Sequence, residues 1–171
     1  MAPSALSSIL PPAIPAQNWV RDDGYRLTTD RSAIDIAEVA RFLAEEAYWS
    51  GGMERPLLER ALAGCLPMAV IAPDGSMAGF ARLGTGFTVF AYLRDVFVLK
   101  THRGKGLAGW LAEVIRTHPE LATVTTWMLA TRDAHEVYAR AGYRPVPHPD
   151  YYMSVPKPKL EPTSEPTSDA S

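Results

Sequence analysis

The stretch that most constrains the fold is a glycine-rich junction at residues 102–110, whose sequence is HRGKGLAGW. The apolar run at residues 96–99 precedes it and predicts a buried strand, and apolar residues at helical spacing follow it. Gly104 and Gly106 allow a tight turn and a close approach of the backbone to a ligand, while the first amides of a new helix lack intrahelical partners. The junction is therefore typical of a phosphate-binding loop. The alternative is a glycine-rich loop that only starts a helix.

Patterns along the rest of the chain predict a mixed α/β fold. Apolar residues at helical spacing predict four helices, at residues 34–47, 56–64, 105–117 and 131–141. Short apolar or alternating runs predict about seven strands, at residues 25–29, 68–72, 77–83, 87–99, 124–130, 143–146 and 151–155. This order favours a mixed sheet with antiparallel neighbours early in the chain and a helical crossover late.

The length and the distribution of apolar residues favour one domain with two loose ends. The chain has 171 residues and is 47% hydrophobic, which suffices for a single substantial core. Residues 1–20 are rich in Pro, Ala and Ser and predict an extended N-terminal arm, with Trp19 and Val20 docking on the domain. Residues 156–171 contain a doubled EPTS and predict a disordered tail. The predicted domain spans residues 21–155.

Charge and hydropathy argue against two classes of partner. Seventeen Lys and Arg against nineteen Asp and Glu give a net charge of -2, so no basic field favours nucleic acid. No run approaches the roughly 18 to 20 apolar residues of a membrane span, and the N-terminus lacks the pattern of a secretion signal. The single cysteine, Cys65, excludes an intramolecular disulfide and is expected to be a buried apolar residue. We expect a cytoplasmic protein.

Two motifs resemble the signatures of one known family. Residues 103–108, RGKGLA, match the Arg/Gln-x-x-Gly-x-Gly/Ala signature of the GNAT superfamily of acyl-CoA N-acyltransferases, directly after a predicted strand. Residues 134–143, AHEVYARAGY, resemble its second signature, in which Ala and then Tyr precede Gly and an aromatic residue. The order of elements fits across residues 21–155. The resemblance implies the GNAT fold, a mixed α/β sheet of about seven strands with four helices, splayed between its fourth and fifth strands.

The resemblance also implies how the co-substrate acetyl-CoA is held. In this family, the amides of the glycine loop and the dipole of the following helix hold the pyrophosphate of coenzyme A, and nearby positive charge assists. The pantetheine arm lies in the splayed cleft and hydrogen-bonds to the main chain of the fourth strand. No metal is expected, since Asp133 and His135 lack a third ligand. The implied cofactor-binding residues are Phe97, Val98, Leu99, Arg103, Gly104, Lys105, Gly106, Leu107 and Ala108.

Tyr138 is the predicted proton donor. It falls on the tyrosine that this family is proposed to use to protonate, or hydrogen-bond, the thiolate leaving coenzyme A. A phenol with an ordinary pKa of about 10 is a reasonable donor to an alkyl thiolate. The alternative is a packing residue on an amphipathic helix. The chain departs from the common pattern at Thr131, where many members have Asn, although Thr can still cap the helix.

The general base is the least defined part of the predicted site. An amine must lose a proton when it attacks a thioester, and in this family the base often lies on the fourth strand. Strict alternation places Asp95 on the opposite face from Tyr92 and Arg94. The resemblance implies a bulge in the fourth strand, however, and a bulge between Arg94 and Val98 would re-aim Asp95. Asp95, acting directly or through water, is the candidate base. The alternative is a buried structural carboxylate paired to arginine, threonine or backbone amides.

The resemblance implies an acceptor pocket that is shaped by the turn between the first two helices, at residues 48–55, and by the loop joining the last two strands, at residues 147–152. Aromatic residues with one or two charges suit a small-molecule or amino-acid-like amine, although Tyr48 and Trp49 could equally close the core. The candidate residues are Tyr48, Trp49, Arg55, Tyr92 and Arg94. We expect an acetyl-CoA-dependent N-acetyltransferase that works by direct attack in a ternary complex. Transfer of a longer acyl group, acyl-CoA binding without catalysis, and a monomer or homodimer all stay open.

Overall fold

The computed structural model describes residues 14–155, which form one sheet with helices on both faces. Residues 1–13 of the predicted arm and the predicted tail at 156–171 lie outside the described residues. The helices of the described part are α1 (Ile36–Glu45), α2 (Arg55–Ala63), α3 (Leu107–Arg116) and α4 (His135–Arg140). Its strands are β1 (Asn18–Val20), β2 (Arg26–Thr28), β3 (Leu66–Ile71), β4 (Met77–Thr85), β5 (Phe90–Val98) and β6 (Thr126–Met128).

Side-chain hydrogen bonds stabilise the turns that precede α1 and α4. The carboxylate of Asp35 accepts the amide of Glu38 at 3.0 Å and caps α1. The prediction that Thr131 caps α4 is wrong, because Ala134 holds the N-cap position without a side-chain hydrogen bond. The hydroxyl of Thr131 instead accepts the amide of Ala134 at 3.1 Å in the turn before the helix. Because this turn uses several residues, α4 begins at His135 and is shorter than predicted. All four predicted helices are nevertheless confirmed.

The sheet has the order β1-β2-β3-β4-β5-β6, and every neighbouring pair is antiparallel except the last. The parallel pair of β5 and β6 requires a crossover, which α3 provides. That pairing extends only from Phe90–Thr126 to Tyr92–Met128, after which no further β5–β6 pairs are formed by the described residues. The two strands are the predicted fourth and fifth, so the predicted splay lies here.

Apolar side chains fill both faces of the sheet. The face under α1 and α2 buries Ile34, Val39, Phe42, Leu43, Leu58, Leu62, Phe80 and Phe97. The face under α3 and α4 buries Leu27, Met68, Val70, Leu83, Leu93, Leu107, Leu111, Ile115 and Tyr138. All six residues of β3 are buried, because this strand is covered on both faces. The site therefore rests on a rigid, doubly covered sheet.

The strand count differs from the prediction at both ends of the domain. Asn18–Val20, predicted as part of the extended arm, pairs with β2 as an edge strand. The predicted strands at residues 143–146 and 151–155 do not join the described sheet. Three prolines at residues 145–149 explain the first of these differences, since proline lacks an amide donor and fixes φ. The sheet has six strands rather than about seven, while the predicted mixed α/β fold is confirmed.

Candidate functional site

The glycine loop forms an open cradle at the start of α3. Gly104 and Gly106 have φ of 78° and 70°, left-handed angles at which a side chain is strained. A Cβ at either position would meet no atom within 4 Å, so the space beside the loop is open. Gly106 caps α3, and the first amides of a helix have no intrahelical acceptor. Open space, free amides and a helix N-terminus fit a pyrophosphate.

A groove of about 430 Å³ extends from this loop between α3 and α4. Arg103 lies on its wall, where Nε donates to the carbonyl oxygen of Val98 at 2.9 Å and Nη2 lies 3.6 Å from Oε2 of Glu46. Lys105 lies beside the groove rather than in its lining, with Nζ 5.2 Å from the ring centroid of Tyr25. The predicted cofactor-binding residues that line the groove are Val98, Arg103, Gly104, Gly106, Leu107 and Ala108.

Residues 97–99, at and just after the end of β5, differ in the direction of their main-chain groups. The amide of Leu99 donates to the carbonyl oxygen of Ala78 at 2.9 Å, toward β4. Because alternate residues of a strand direct these groups to opposite edges, those of Val98 face the splayed side. The Phe97 side chain is buried and stacks on Phe42 with 3.9 Å between ring centroids. Of the three predicted residues, only Val98 lines the groove.

A β-bulge re-aims the polar residues of β5. The register shifts between Phe80 and Arg82 of β4, where Asp95 and Val96 lie opposite a single residue. Asp95 has φ of 52°, a left-handed conformation that Asp tolerates better than most residues. The bulge predicted in this part of the strand is confirmed.

Asp95 is buried and held by two donors. Only 4% of its side chain is exposed, and Oδ2 accepts from Nε of Arg82, whose side chain is 14% exposed. Oδ1 accepts from the indole Nε1 of Trp49 at 3.3 Å. The carboxylate therefore has the arginine partner foreseen for a structural role. Since an ionised carboxylate has about four lone-pair sites, it keeps acceptor capacity toward the cavity that it lines.

That cavity, which we call the splay cavity, has a volume of about 480 Å³. Its walls are β5 residues 92–96, residues 129–134 after β6, and the side chains of Tyr48, Trp49 and Tyr138. Tyr138 is only 9% exposed, and its burial raises the pKa of the phenol to about 12. The phenol therefore stays protonated throughout the neutral range and can act as a hydrogen-bond donor.

A polar bridge crosses the mouth of the splay cavity. The hydroxyl of Tyr48 donates to Oδ1 of Asp133 at 3.1 Å and accepts from the amide of Arg132 at 3.3 Å. The guanidinium carbon of Arg132 lies 3.6 Å from the Tyr48 ring centroid. The bridge joins the α1–α2 turn to the β6–α4 loop. Tyr48 and Trp49 are 49% and 41% exposed, so both remain accessible at this mouth.

The predicted acceptor-binding residues divide into two groups. Tyr48, Trp49, Tyr92 and Arg94 line the splay cavity. Arg55 does not line it, because this residue begins α2 and its exposed Nε pairs with Oε1 of Glu59 at 2.8 Å on the helix surface.

Three charged residues of the site were missed at the level of sequence. Arg82 is one of them, and it could have been found because it is the only charged residue in the strand sequence MAGFARLGT. Such a charge requires a buried partner, which Asp95 supplies. Arg132 and Asp133 lie in a loop with no recognisable pattern, and only tertiary contacts bring them to the cavity.

Two properties concern the described residues as a whole. Within residues 14–155, no three His, Cys, Asp or Glu side chains are grouped so that they could hold a metal ion. In the same part of the chain, no helix combines the length and apolar character that crossing a bilayer requires.

Cys65 is buried as expected, and burial raises the pKa of its thiol.

A splayed mixed sheet beside a glycine-loop groove is the arrangement that the resemblance to the GNAT superfamily implies, and comparisons with known proteins agree. The family model described as an acetyltransferase (GNAT) domain matches residues 66–145. A putative acetyltransferase of this family from Xanthomonas campestris pv. campestris is 36% identical, with a TM-score of 0.74 over 80% of this chain and 95% of that chain. The chain belongs to the GNAT family of acetyltransferases.

Two further relatives extend the comparison. A protein of Gibberella zeae, named as a putative acetyltransferase, is 25% identical in a match 146 residues long that covers 72% of this chain and 80% of that protein. A predicted acetyltransferase from Clostridium acetobutylicum, solved with acetyl-CoA, shares the fold at 14% identity. Its TM-score is 0.56, over 77% of this chain and 94% of that chain.

Proposed function

We propose that this chain is an acetyl-CoA-dependent N-acetyltransferase. The acceptor is the primary amine of a small molecule or an amino-acid-like compound, which attacks directly in a ternary complex. Acetyl-CoA supplies the activated thioester. The protein acts in the cytoplasm, where its lone thiol stays reduced, as a monomer or homodimer that needs neither metal nor nucleic acid.

One observation carries the proposal: the groove and the splay cavity meet at β5 and α4. Val98 and Val137 line the groove, whereas Val96 and Tyr138, two and one residues away, line the cavity. A coenzyme A molecule held by its pyrophosphate at the glycine loop can therefore extend its arm to the junction. Its thioester then faces an acceptor in the splay cavity, which is the arrangement that direct transfer requires.

Main-chain groups perform the binding of coenzyme A. The amides of Gly104, Gly106 and the first turn of α3 receive the pyrophosphate, and Arg103 turns from Val98 and Glu46 to add charge. Freed from Arg103, the carbonyl oxygen of Val98 can accept from a pantetheine amide. Main-chain N–H groups of β5 donate to the thioester oxygen as negative charge develops there.

Tyr138 assists the departure of the thiolate. Its phenol, with a pKa of about 12, is a weaker acid than an ordinary alkyl thiol. Complete proton transfer to the thiolate is therefore uphill, and donation of a strong hydrogen bond is the larger contribution. The buried position of Tyr138 strengthens that bond, because water does not compete for it.

Asp95 receives the proton of the attacking amine, directly or through one water. Arg82 and Trp49 hold its carboxylate in one orientation, and the bulge turns it to line the cavity. Its remaining lone pairs accept the proton as the nitrogen–carbon bond forms. The aromatic rings of Tyr48 and Trp49 at the mouth then suit an acceptor with an apolar body, whose amine attacks in its neutral form.

The proposal is tested by binding and turnover with the full chain. Calorimetric titration with acetyl-CoA should give saturable binding, and a panel of amines, amino acids and peptide N-termini should release free thiol with at least one member. Cys65→Ala should retain the activity, because the thiol is buried away from the splay cavity. Binding without thiol release across the panel would support a non-catalytic acyl-CoA-binding protein instead, and absent binding would refute both.

A further inference from the structure

Arg21 lies far from both sequence motifs, yet it contacts the glycine loop. Its Nη1 donates to the carbonyl oxygen of Lys105 at 3.1 Å, and its guanidinium lies 5.3 Å from the ring centroid of Trp110 in α3. Arg21 belongs to the turn between β1 and β2, where the amide of Gly24 donates to the Arg21 carbonyl at 3.0 Å. The amide of Arg21 donates to the carbonyl of Tyr25 at 2.9 Å. The backbone that carries this side chain is therefore fixed.

Asp23 fixes the orientation of the Arg21 guanidinium. Nε and Nη2 donate to the two carboxylate oxygens at 3.1 and 2.5 Å, a bidentate arrangement that leaves Nη1 for Lys105. Arg21 holds the pKa of Asp23 below its usual range, so this partner stays ionised. Because the carboxylate balances the charge of Arg21, the guanidinium acts on the loop as an oriented donor rather than as a free cation.

The geometry of a peptide plane links this contact to the cofactor groove. The carbonyl of Lys105 and the N–H of Gly106 belong to one planar trans peptide, in which they point in opposite directions. Holding the carbonyl at the β1–β2 turn therefore directs the Gly106 N–H away from Arg21. Gly106 lines the groove, which Arg21 does not. Without the Arg21 contact, the peptide plane between Lys105 and Gly106 would rotate freely, because glycine restricts φ less than any other residue.

The same turn holds the beginning of the loop as well. The hydroxyl of Tyr25 and Nδ1 of His102 are 2.8 Å apart, and the ammonium of Lys105 lies over the Tyr25 ring. Contacts on both sides of Gly104 thus fix the loop against β1 and β2. The edge strand and its turn consequently have a role beyond completing the sheet.

We propose that Arg21 is a positioning residue for coenzyme A, which orients the Gly106 amide toward the pyrophosphate by holding the Lys105 carbonyl. The inference rests on the proposed function, because it assumes that the groove binds coenzyme A. It differs from an electrostatic role, in which Arg21 would attract the phosphates by its charge. The two roles predict opposite results for a change at Asp23.

The test is calorimetric titration of coenzyme A into the full chain and four variants. Arg21→Met and Arg21→Lys should each weaken binding about ten-fold, because lysine keeps the charge but not the bidentate geometry. Asp23→Asn should weaken binding in the same direction, since the guanidinium loses its orientation. Arg26→Gln is the matched control, because Arg26 lies on the same hairpin and donates to Asn18, and it should bind like the wild type.

Three further readouts separate positioning from general damage. The amide resonance of Gly106 should shift on coenzyme A binding in the wild type and shift less in Arg21→Met at saturation. The KM for acetyl-CoA should rise while kcat stays within about two-fold, and the melting temperature should match that of Arg26→Gln, whereas a damaged fold would lower kcat and melting temperature together.

Three outcomes would overturn the inference. Equal binding by Arg21→Met and the wild type would show that the contact does not matter. Wild-type affinity in Arg21→Lys, or tighter binding in Asp23→Asn, would assign Arg21 a charge effect. Failure of the wild type to bind coenzyme A would overturn both the proposed function and this inference. This result can be distinguished from the results above, because those leave wild-type binding intact.

Discussion

The two ends of the site are constructed in different ways. The glycine loop is one continuous stretch, and its useful groups are backbone amides set by the left-handed φ of Gly104 and Gly106. The splay cavity is lined by side chains of β5, the α1–α2 turn, the β6–α4 loop and α4, and Arg82 of β4 holds one of them. The first end presents main-chain groups, through which we propose that it binds coenzyme A. The second end holds its side chains through long-range contacts that other side chains could change.

The two ends are therefore sensitive to different kinds of substitution. The cavity end depends on the buried Asp95–Arg82 pair, so removing one partner leaves a charge without compensation. The loop end depends on backbone conformation, so it is sensitive to a change of φ within the loop and to loss of the contacts that hold it. Substitutions at the two ends can separate these two dependences.

The largest expected effect is on turnover at the cavity end. Asp95→Asn removes the proposed base while keeping a residue that tolerates φ of 52°. We expect kcat to fall about 10³-fold with little change in the affinity for acetyl-CoA, measured by thiol release and by calorimetry. Trp49→Phe is the control, because it removes one donor to the carboxylate but not the carboxylate, and it should cost less than about ten-fold. Unchanged kcat in Asp95→Asn would make Asp95 purely structural.

The next effect is on folding stability. Arg82→Met leaves the Asp95 carboxylate buried without its cationic partner, and should lower the free energy of unfolding in urea by about 3–5 kcal/mol. The double variant Arg82→Met with Asp95→Asn should recover most of this loss, since no uncompensated charge then remains. If the single variant unfolds like the wild type, the pair does not stabilise the fold, and the contrast between the two ends is lost.

The contrast also explains how much the sequence could predict. RGKGLA lies between an apolar strand and an amphipathic helix, so short-range rules predict the loop, the helix and the ligand class together. The bulge at Asp95 was foreseen only as one option, because the register of β4 against β5 is a tertiary property. Arg132, Asp133 and Arg21 act through partners more than 80 residues away, at separations of 84, 85 and 84. No periodicity encodes such contacts.

Tyr138 lies where the two ends meet, and its effect should be intermediate. Tyr138→Phe should lower kcat about 10²-fold without raising the KM for acetyl-CoA, because it removes a hydrogen bond made to the departing thiolate. Burial raises the pKa of Tyr138 to about 12, so the phenol loses its proton only as the pH approaches that value. The wild-type rate should therefore not fall between pH 9 and about 10.5 through this group.

A pH profile checks that expectation directly. Turnover of a confirmed acceptor is measured from neutral to alkaline pH for the wild type and for Tyr138→Phe. A wild-type loss of activity centred near pH 10 that the variant lacks would mean an ordinary exposed phenol. Equal kcat in both proteins at every pH would remove Tyr138 from the chemistry and leave it a packing residue.

The smallest of these effects isolates the loop end. Gly106→Ala places a Cβ in open space, so its cost comes from φ of 70° and amounts to about 1–2 kcal/mol. Relaxation of that strain turns the amide away from the groove, and coenzyme A affinity should fall about ten-fold. Gly75→Ala is the matched control, because Gly75 has φ of 88°, equally open surroundings and a place in the distant β3–β4 turn. It should lose similar stability in urea but no affinity. Equal affinity losses in both variants would mean that the loop conformation carries no special role in binding, whereas a loss confined to Gly106→Ala shows that one end of this site is defined by backbone geometry alone.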